Sequence, residues 1–339
     1  MRIRPTPRLV LLLALLVLTA VAAAGCGRDD EEGDGAAAGG GDTAAETSGG
    51  GEELSGRIEA DGSSTVGPFT TFAAEQFQEQ QPGVEVTVGI SGTGGGFERF
   101  CVGETDISNA SRPIEEDEEV PICEENGIEF VEFHVVNDGL AVVVNPENDW
   151  VECFTTEQLN AIWAPEAEGE ITTWSQVDPS WPDEPLVLAG PGTDSGTFDY
   201  FTETINEEGG ASRADYTASE DDNVIVQAVS SEPGGHGYFG LSYVAENEGS
   251  IKALPVENER GDCVEPSVET VQDGSYNPLG RPLFIYVKKD SFARPEVQAF
   301  VQYMLDNNTE VAEGALYVPL TEEQLTAAQE SLDEALAGS

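Results

Sequence analysis

Positive charge is nearly missing from this chain: 14 lysines and arginines stand against 65 aspartates and glutamates, a formal charge of −51 over 339 residues. Lysine occurs only at Lys252, Lys288 and Lys289. Such a surface repels nucleic-acid backbones and anionic lipid headgroups, which excludes both as partners. It also repels small anions at long range, so an anion site would have to work through local, screened contacts. Histidine is as scarce, with His134 and His236 alone, and no Cys-x-x-Cys pair accompanies them. That argues against zinc, and neither a metal nor a cofactor is expected. The long apolar run, Leu9–Ala24, is too short and too unevenly flanked to read as a membrane span.

What is present begins with an export signal. Arg2, Arg4 and Arg8 precede the apolar run, which ends Ala23-Ala24-Gly25-Cys26. Small residues before a single cysteine, where such a signal is cut, resemble a bacterial lipobox, so residues 1–25 are expected to be removed and Cys26 lipidated. Residues 27–55 contain one leucine and no aromatic residue, too little to fold. As a flexible coil they would span about 30 Å, a tether from a lipid anchor to a body on the extracytoplasmic face of the membrane. The remaining chain exceeds the size at which one core usually keeps growing, so two domains are expected. Past Cys26 the cysteines are Cys101, Cys123, Cys153 and Cys263. An even number in an exported protein favours disulfides, and of three pairings Cys101–Cys123 with Cys153–Cys263, one per domain, is the expected one.

The body reads as repeated strand, polar turn and helix. Residues 57–66, RIEADGSSTV, form a strand and turn, and Pro68 opens a helix with Phe69, Phe72, Ala73 and Phe77 on one face. Pro82-Gly83 stops it, and VEVTVGI alternates into a strand that feeds Ser91 to Pro113. There Gly92-Thr93-Gly94-Gly95-Gly96 suggests a tight turn, followed by an amphipathic segment and then by Ser108, Asn109, Ser111 and Arg112. A turn feeding a helix leaves unpaired N–H groups backed by the positive end of the dipole, a seat for a small anion. Asn137-Asp138 divides two further predicted strands, IEFVEFHVV and GLAVVVNP; Thr155 to Ala164 is a capped helix; and Gly190 to Thr197 is a third polar turn before a helix bearing Phe198, Phe201 and Ile205. RPLFIYVKK returns as a strand to the first domain, and two helices close the chain. This is an α/β pattern, whose ligands sit at the carboxyl ends of strands.

Taken together, DGSSTV, GISGTGGGFERFCVGETDISNASRPI, DGLAVVVNP, GTDSGTFDYF and RPLFIYV resemble, in order, the phosphate-binding protein of the bacterial high-affinity ABC phosphate importer, over about residues 57–320. The resemblance implies a type II periplasmic-binding-protein fold, two α/β domains joined by a two-crossover hinge that close on the ligand. Residues 56–141 and 282–339 would make domain I and 142–281 domain II. It implies a monomeric receptor, not an enzyme, that holds inorganic phosphate and delivers it to a membrane ABC permease. Position by position, the first turn would supply Ser64, Thr65 and the backbone of Val66, the second Thr93, and the third Ser195, Gly196 and Thr197. This chain departs from the best-studied branch in two places: Ser111 stands where that branch has an aspartate, and Pro191 where it has an arginine. Arg112, read as the sole arginine near any of the three turns on the expected side, is therefore expected to supply the guanidinium, from the first domain instead of the second. An acceptor carboxylate for the phosphate proton would come from Asp138 first, then Asp61 or Asp194, although Asp194 could be a helix cap and Asp61 a turn former.

Other classes fit less well. The Gly92–Gly96 run lacks the Gly-Lys-Ser/Thr of a nucleotide P-loop. Asp194-Ser195-Gly196 is reminiscent of a serine hydrolase, but no Gly-x-Ser-x-Gly elbow surrounds Ser195. His134, in an apolar strand, reads as a satisfied core residue, and His236 as part of a glycine-rich turn. Tyr238 and Phe239 read as packing residues. Another tetrahedral oxyanion, sulfate, molybdate or tungstate, is the alternative ligand, because helix N-termini do not themselves discriminate among these.

Overall fold

A computed structural model describes residues 53–193 and 195–338. The expected signal segment, Cys26 and most of the tether lie outside the described residues, as does Asp194.

The chain folds as α/β. Strand β1 (Ser55–Gly62) leads through α1 (Gly67–Gln80) to β2 (Gly83–Val88), parallel to β1 with Ile58 opposite Val86. Pro68 sits in the first turn of α1, where its missing N–H costs nothing, and Phe69, Ala73, Ala74 and Phe77 are buried along one face. Helix α2 (Gly92–Phe100) returns to β3 (Ile107–Ala110), also parallel to β1. After α3 (Glu119–Glu125) comes β4 (Phe130–Val144), then α4 (Thr156–Trp163), α5 (Trp174–Val177), β5 (Val187–Gly190), α6 (Gly196–Ile205), β6 (Thr217–Ala218), α7 (Asp222–Ser231) and β7 (Gly235–Gly240). Short elements follow: α8 (Ser242–Glu246), β8 (Lys252–Ala253), β9 (Val256–Glu257), β10 (Cys263–Val264) and α9 (Val268–Gln272). The chain closes with β11 (Gly280–Lys288), α10 (Pro295–Asp306), α11 (Asn308–Gly314) and α12 (Glu322–Gly338).

One sheet carries β2-β1-β3-β11-β4-β7-β5-β6 in that order, with β8 on the far end of β4. Strand β4 is the spine. Its first part pairs antiparallel with β11 and its last five residues with β7. The expected break at Asn137-Asp138 is not there: both residues lie inside one strand of 15 residues. The reason is that their polar groups are satisfied without a turn. Asn137 exchanges backbone hydrogen bonds with Val318, accepts from His134, and donates its amide to Pro319 O and Gln324 Oε1. Val136 opposes Leu283 while His134 opposes Phe284, so Val135 is the extra residue of a bulge just before them.

The apolar side chains gather in three clusters. One takes Ile58, Phe69, Phe77, Val135, Ile285, Phe300 and Leu332, with α1, α10, α11 and α12 covering one face of the sheet. A second packs Val142, Val144, Trp163, Trp174, Phe201, Val229 and Tyr238 among α4, α6 and α7. A small third one holds Phe97, Phe100, Tyr286 and the Cys101–Cys123 disulfide. The other expected disulfide, Cys153–Cys263, ties the entry of α4 to β10. The capped helix at Thr155 forms with a full capping box to Gln158.

His236 corrects another expectation. It lies in β7, not in a turn, and is fully buried. Its Nδ1 donates to Val143 O and its Nε2 accepts from Trp163 Nε1, each at 3.0 Å, which defines the neutral tautomer. Burial pushes the imidazole down to about 4. A histidine depressed on folding contributes stability that is present above its ordinary value near 6.5 and is lost as pH falls through the folded value. Between pH 7.5 and 4.5 the wild type is expected to lose about 2–3 kcal/mol more than His236→Gln, read by urea unfolding at both pH values. Equal losses would mean that the ring is not what acid attacks.

Candidate functional site

The parallel strands β1, β3 and β5 end at Gly62, Ala110 and Gly190, and polar residues follow each end. Ser63 to Thr65, Gly92 to Gly94, Ser111 and Arg112 line one side of a cavity of about 270 Å³. Asp199, Tyr200 and Glu203 of α6 line the other, with Arg281 between them. Larger hollows elsewhere are walled by carboxylates, such as Glu129, Glu132, Asp290 and Glu334, or Glu157, Glu207, Glu257 and Glu259. An anion would meet repulsion in those. Among these cavities of the described residues, this one carries two guanidinium groups on its wall, Arg112 and Arg281.

Its hydroxyls are tied to one another. Thr93 Oγ1 and Ser111 Oγ lie 2.9 Å apart, and the Ser111 N–H donates to Thr93 Oγ1 at 3.2 Å. Ser63 Oγ accepts from the N–H groups of Thr65 and Val66, and Tyr317 OH donates to Thr65 O at 2.5 Å, fixing the first turn. Gly92 to Gly96, expected as a turn, is already the first turn of α2. Glycine is required there for a different reason: a Cβ on Gly96 would stand 2.6 Å from Gly62 Cα and 3.0 Å from Ser108 Oγ, so the helix could not approach β1 and β3. Gly196 makes the same kind of approach, with a Cβ position 3.0 Å from Thr65 Cα, and Thr65 Oγ1 donates to Gly196 O at 3.4 Å.

Arg281 is the residue that the sequence reading missed. It is the second residue of β11, and its register partner on β4 is Asp138. Its Nη2 donates to Thr65 Oγ1 at 3.1 Å and its Nη1 to Ser111 O at 3.4 Å. Its Cζ sits 3.4 Å over the Tyr200 ring, a cation–π stack. The expectation that Arg112 is the sole arginine near the turns is therefore wrong. Sequence distance misled it, since Arg281 reaches the site across 170 residues by strand pairing. Arg112 does line the cavity, but its fork is engaged by Glu119 at 2.8 and 2.9 Å and by Glu115 at 3.2 Å.

A model of the PBP superfamily domain matches residues 37–308. The chain belongs to the PBP superfamily. Among relatives of this PBP-superfamily chain, protein SphX of Synechococcus elongatus is 49% identical over 271 residues, 80% of each chain. The phosphate-binding protein PstS of Staphylococcus saprophyticus is 40% identical over 280 residues, 82% of this chain and 85% of that one. A crystal structure described as that of a possible phosphate binding protein from Planctomyces limnophilus aligns with a TM-score of 0.79 at 45% identity, covering 84% of this chain and 99% of that one.

Within this PBP-superfamily fold the sequence candidates separate. Ser64, Thr65, Thr93, Ser111 and Arg112 lie on the cavity wall. Val66 is fully buried at the position just before α1, and it is not on the wall. Ser195 Oγ accepts from the Thr197 N–H, capping its own helix, and Ser195, Gly196 and Thr197 are not on the wall. Asp138 is in a strand, not a turn, and is not on the wall either: it is buried behind Arg281, Oδ2 to Nε 3.6 Å, and neither atom has a hydrogen-bond partner among the described residues. Burial holds the Asp138 carboxyl above its ordinary range although Arg281 pulls it down. Asp61 is buried and engaged by Arg99 and by the Gly62 N–H. The two histidines bond Asn137, Trp163 and Val143, none of them a nucleophile for hydrolysis.

Asp199 and Glu203 were also missed. They are an i, i+4 acid pair on α6, beside the face carrying Phe198, Phe201 and Ile205. That pair was the signal available in the sequence, and it reads as ordinary solvated charge until the helix is placed.

Proposed function

We propose that this chain is an extracytoplasmic receptor that captures inorganic phosphate and delivers it to an ABC permease, held at the membrane through Cys26. The observation that carries the reading is Arg281: a guanidinium stacked on Tyr200 and hydrogen-bonded to Thr65 and Ser111, in a cavity large enough for a tetrahedral oxyanion with several waters. The planar fork presents several donors to two oxyanion oxygens at once. The hydroxyls of Ser64, Thr65, Thr93 and Ser111 can turn to donate, and the start of α2 adds backbone N–H groups and the favourable end of its dipole. Relatives named for phosphate binding support this ligand over sulfate, molybdate or tungstate.

The proposed lobes are residues 56–141 with 282–339, and 142–281. The apolar clusters support a division close to this one, since the first and third draw on residues 58–136 and 283–332 and the second on residues 140–279 with Val318. A closed clamp would keep the contact of α6 with the turn after β1, which Gly196 permits and across which Thr65 Oγ1 donates to Gly196 O. The receptor carries out no reaction.

The deciding experiment is calorimetric titration of the chain, stripped of bound anion, with inorganic phosphate and then sulfate at pH 8. Phosphate is expected to bind and sulfate to give no heat. Sulfate or molybdate binding in place of phosphate would move the assignment to another oxyanion.

A further inference from the structure

The turn that carries Ser64 and Thr65 is also held from behind. Tyr317 OH donates to Thr65 O at 2.5 Å between residues 252 apart in sequence, and Tyr317 is not on the cavity wall. Burial raises the Tyr317 phenol, so it stays protonated and remains the donor. On the other edge of the same peptide group, the Val66 N–H donates to Ser63 Oγ. The peptide group between Thr65 and Val66 is thus fixed on both edges. Thr65 Oγ1 meets Arg281 Nη2 and Gly196 O in front of it.

Tyr317 belongs to a short crossing between α11 and α12. Its neighbour Leu316 takes φ 67°, a left-handed backbone that leucine rarely adopts and that persists only where the surroundings impose it. Those surroundings come from β4 and from the proposed second lobe. Ser242 Oγ donates to Leu316 O at 3.1 Å, Gln272 Nε2 donates to Pro319 O at 2.9 Å, and Asn137 exchanges backbone hydrogen bonds with Val318. Val318 packs into the apolar cluster of the second lobe, while Tyr317 packs against that of the first. We propose that residues 316–319 are a strap that carries the position of the second lobe to the binding turn, with Tyr317 as the positioning residue. The proposal rests on the phosphate reading above and extends it to residues outside the cavity. Without the Tyr317 hydroxyl, Thr65 O is left unpaired and its peptide group can turn, so the donors around it are no longer preorganised for the anion.

The test compares the wild-type chain, Tyr317→Phe, Gln272→Ala and the double variant by calorimetry with phosphate at pH 8, each stripped of anion and checked by urea unfolding. Phenylalanine keeps the ring and removes one hydroxyl, and is expected to weaken phosphate binding about tenfold. Gln272→Ala is expected to weaken it about threefold in the wild type and not at all beside Tyr317→Phe, where the strap no longer grips the turn. Hydrogen–deuterium exchange over residues 63–66 is expected to quicken in both single variants before any anion is added. A merely structural tyrosine would lower stability in urea and leave phosphate affinity unchanged, which overturns the proposal. Losses that simply add in the double variant overturn it as well, since Gln272 would then act by another route. A wild type that binds no phosphate would instead overturn the receptor reading. Exchange still decides the strap in that case, because an unchanged rate in Tyr317→Phe rejects it without reference to any ligand.

Discussion

Arg281→Met is expected to lower phosphate affinity by about a hundredfold to ten-thousandfold, the effect of removing one partner from a buried charged contact, about 3–5 kcal/mol. Methionine keeps much of the aliphatic stem over Tyr200 but presents no donor. The same change leaves Asp138 buried without its guanidinium, so the folded state should also weaken, until the carboxyl, already raised by burial, takes up a proton. A second variant separates the two effects. Arg281→Met with Asp138→Asn removes the unpaired charge and is expected to recover stability in urea unfolding without recovering phosphate binding in calorimetry. Arg112→Ala should cost less, about tenfold, because Glu119 and Glu115 already claim that fork. If Arg281→Met bound within tenfold of wild type while Arg112→Ala abolished binding, the proposed roles of the two arginines would be exchanged.

The second large effect is on stability. Replacing Cys153 and Cys263 together by alanine opens a link across 110 residues. Chain-entropy reasoning puts the loss near 4–5 kcal/mol for a loop of that length, and about 3–4 kcal/mol is expected once residual order in the unfolded chain is allowed for. Cys263 is exposed and Cys153 half-buried, so the substitution opens no large cavity and the loss should be mostly one of constraint. Cys101 and Cys123 close only 22 residues but lie inside an apolar cluster, so their removal mixes a smaller entropy loss with lost packing. Guanidinium unfolding of the oxidised wild type and of the double alanine variant is the measurement. A loss under 1 kcal/mol would show that the long link constrains little.

Most of the secondary structure was legible because local rules govern it. Pro68 opening α1, Thr155 capping α4 and the alternation of VEVTVGI are each decided within a few residues. Both disulfides could be expected from order along the chain. The failures are tertiary. Asn137-Asp138 reads as a turn until Val318 and Gln324 are there to satisfy it within a strand. Gly92 to Gly96 reads as a turn until the tight approach to Gly62 explains the glycines. The wall of the cavity follows the same division. Ser64, Thr65, Thr93 and Ser111 announce themselves as small polar residues that follow predicted strands. Arg281 and Asp199 depend on which strand pairs with which and on how a helix rotates about its axis, and neither fact is written locally.

Strand β4 has a mechanical consequence. Because it runs unbroken beside β11 and then beside β7, the proposed lobes share structural beams and do not hang on slack cord. Hydrogen-bonded strands resist stretching and shear along their length, whereas the bulge at Val135 is a local point of compliance just ahead of Asp138. Flexure there would pass directly under the Asp138–Arg281 rung. On the proposed lobe division, an anion held by Arg281 would therefore be held close to where the two lobes join.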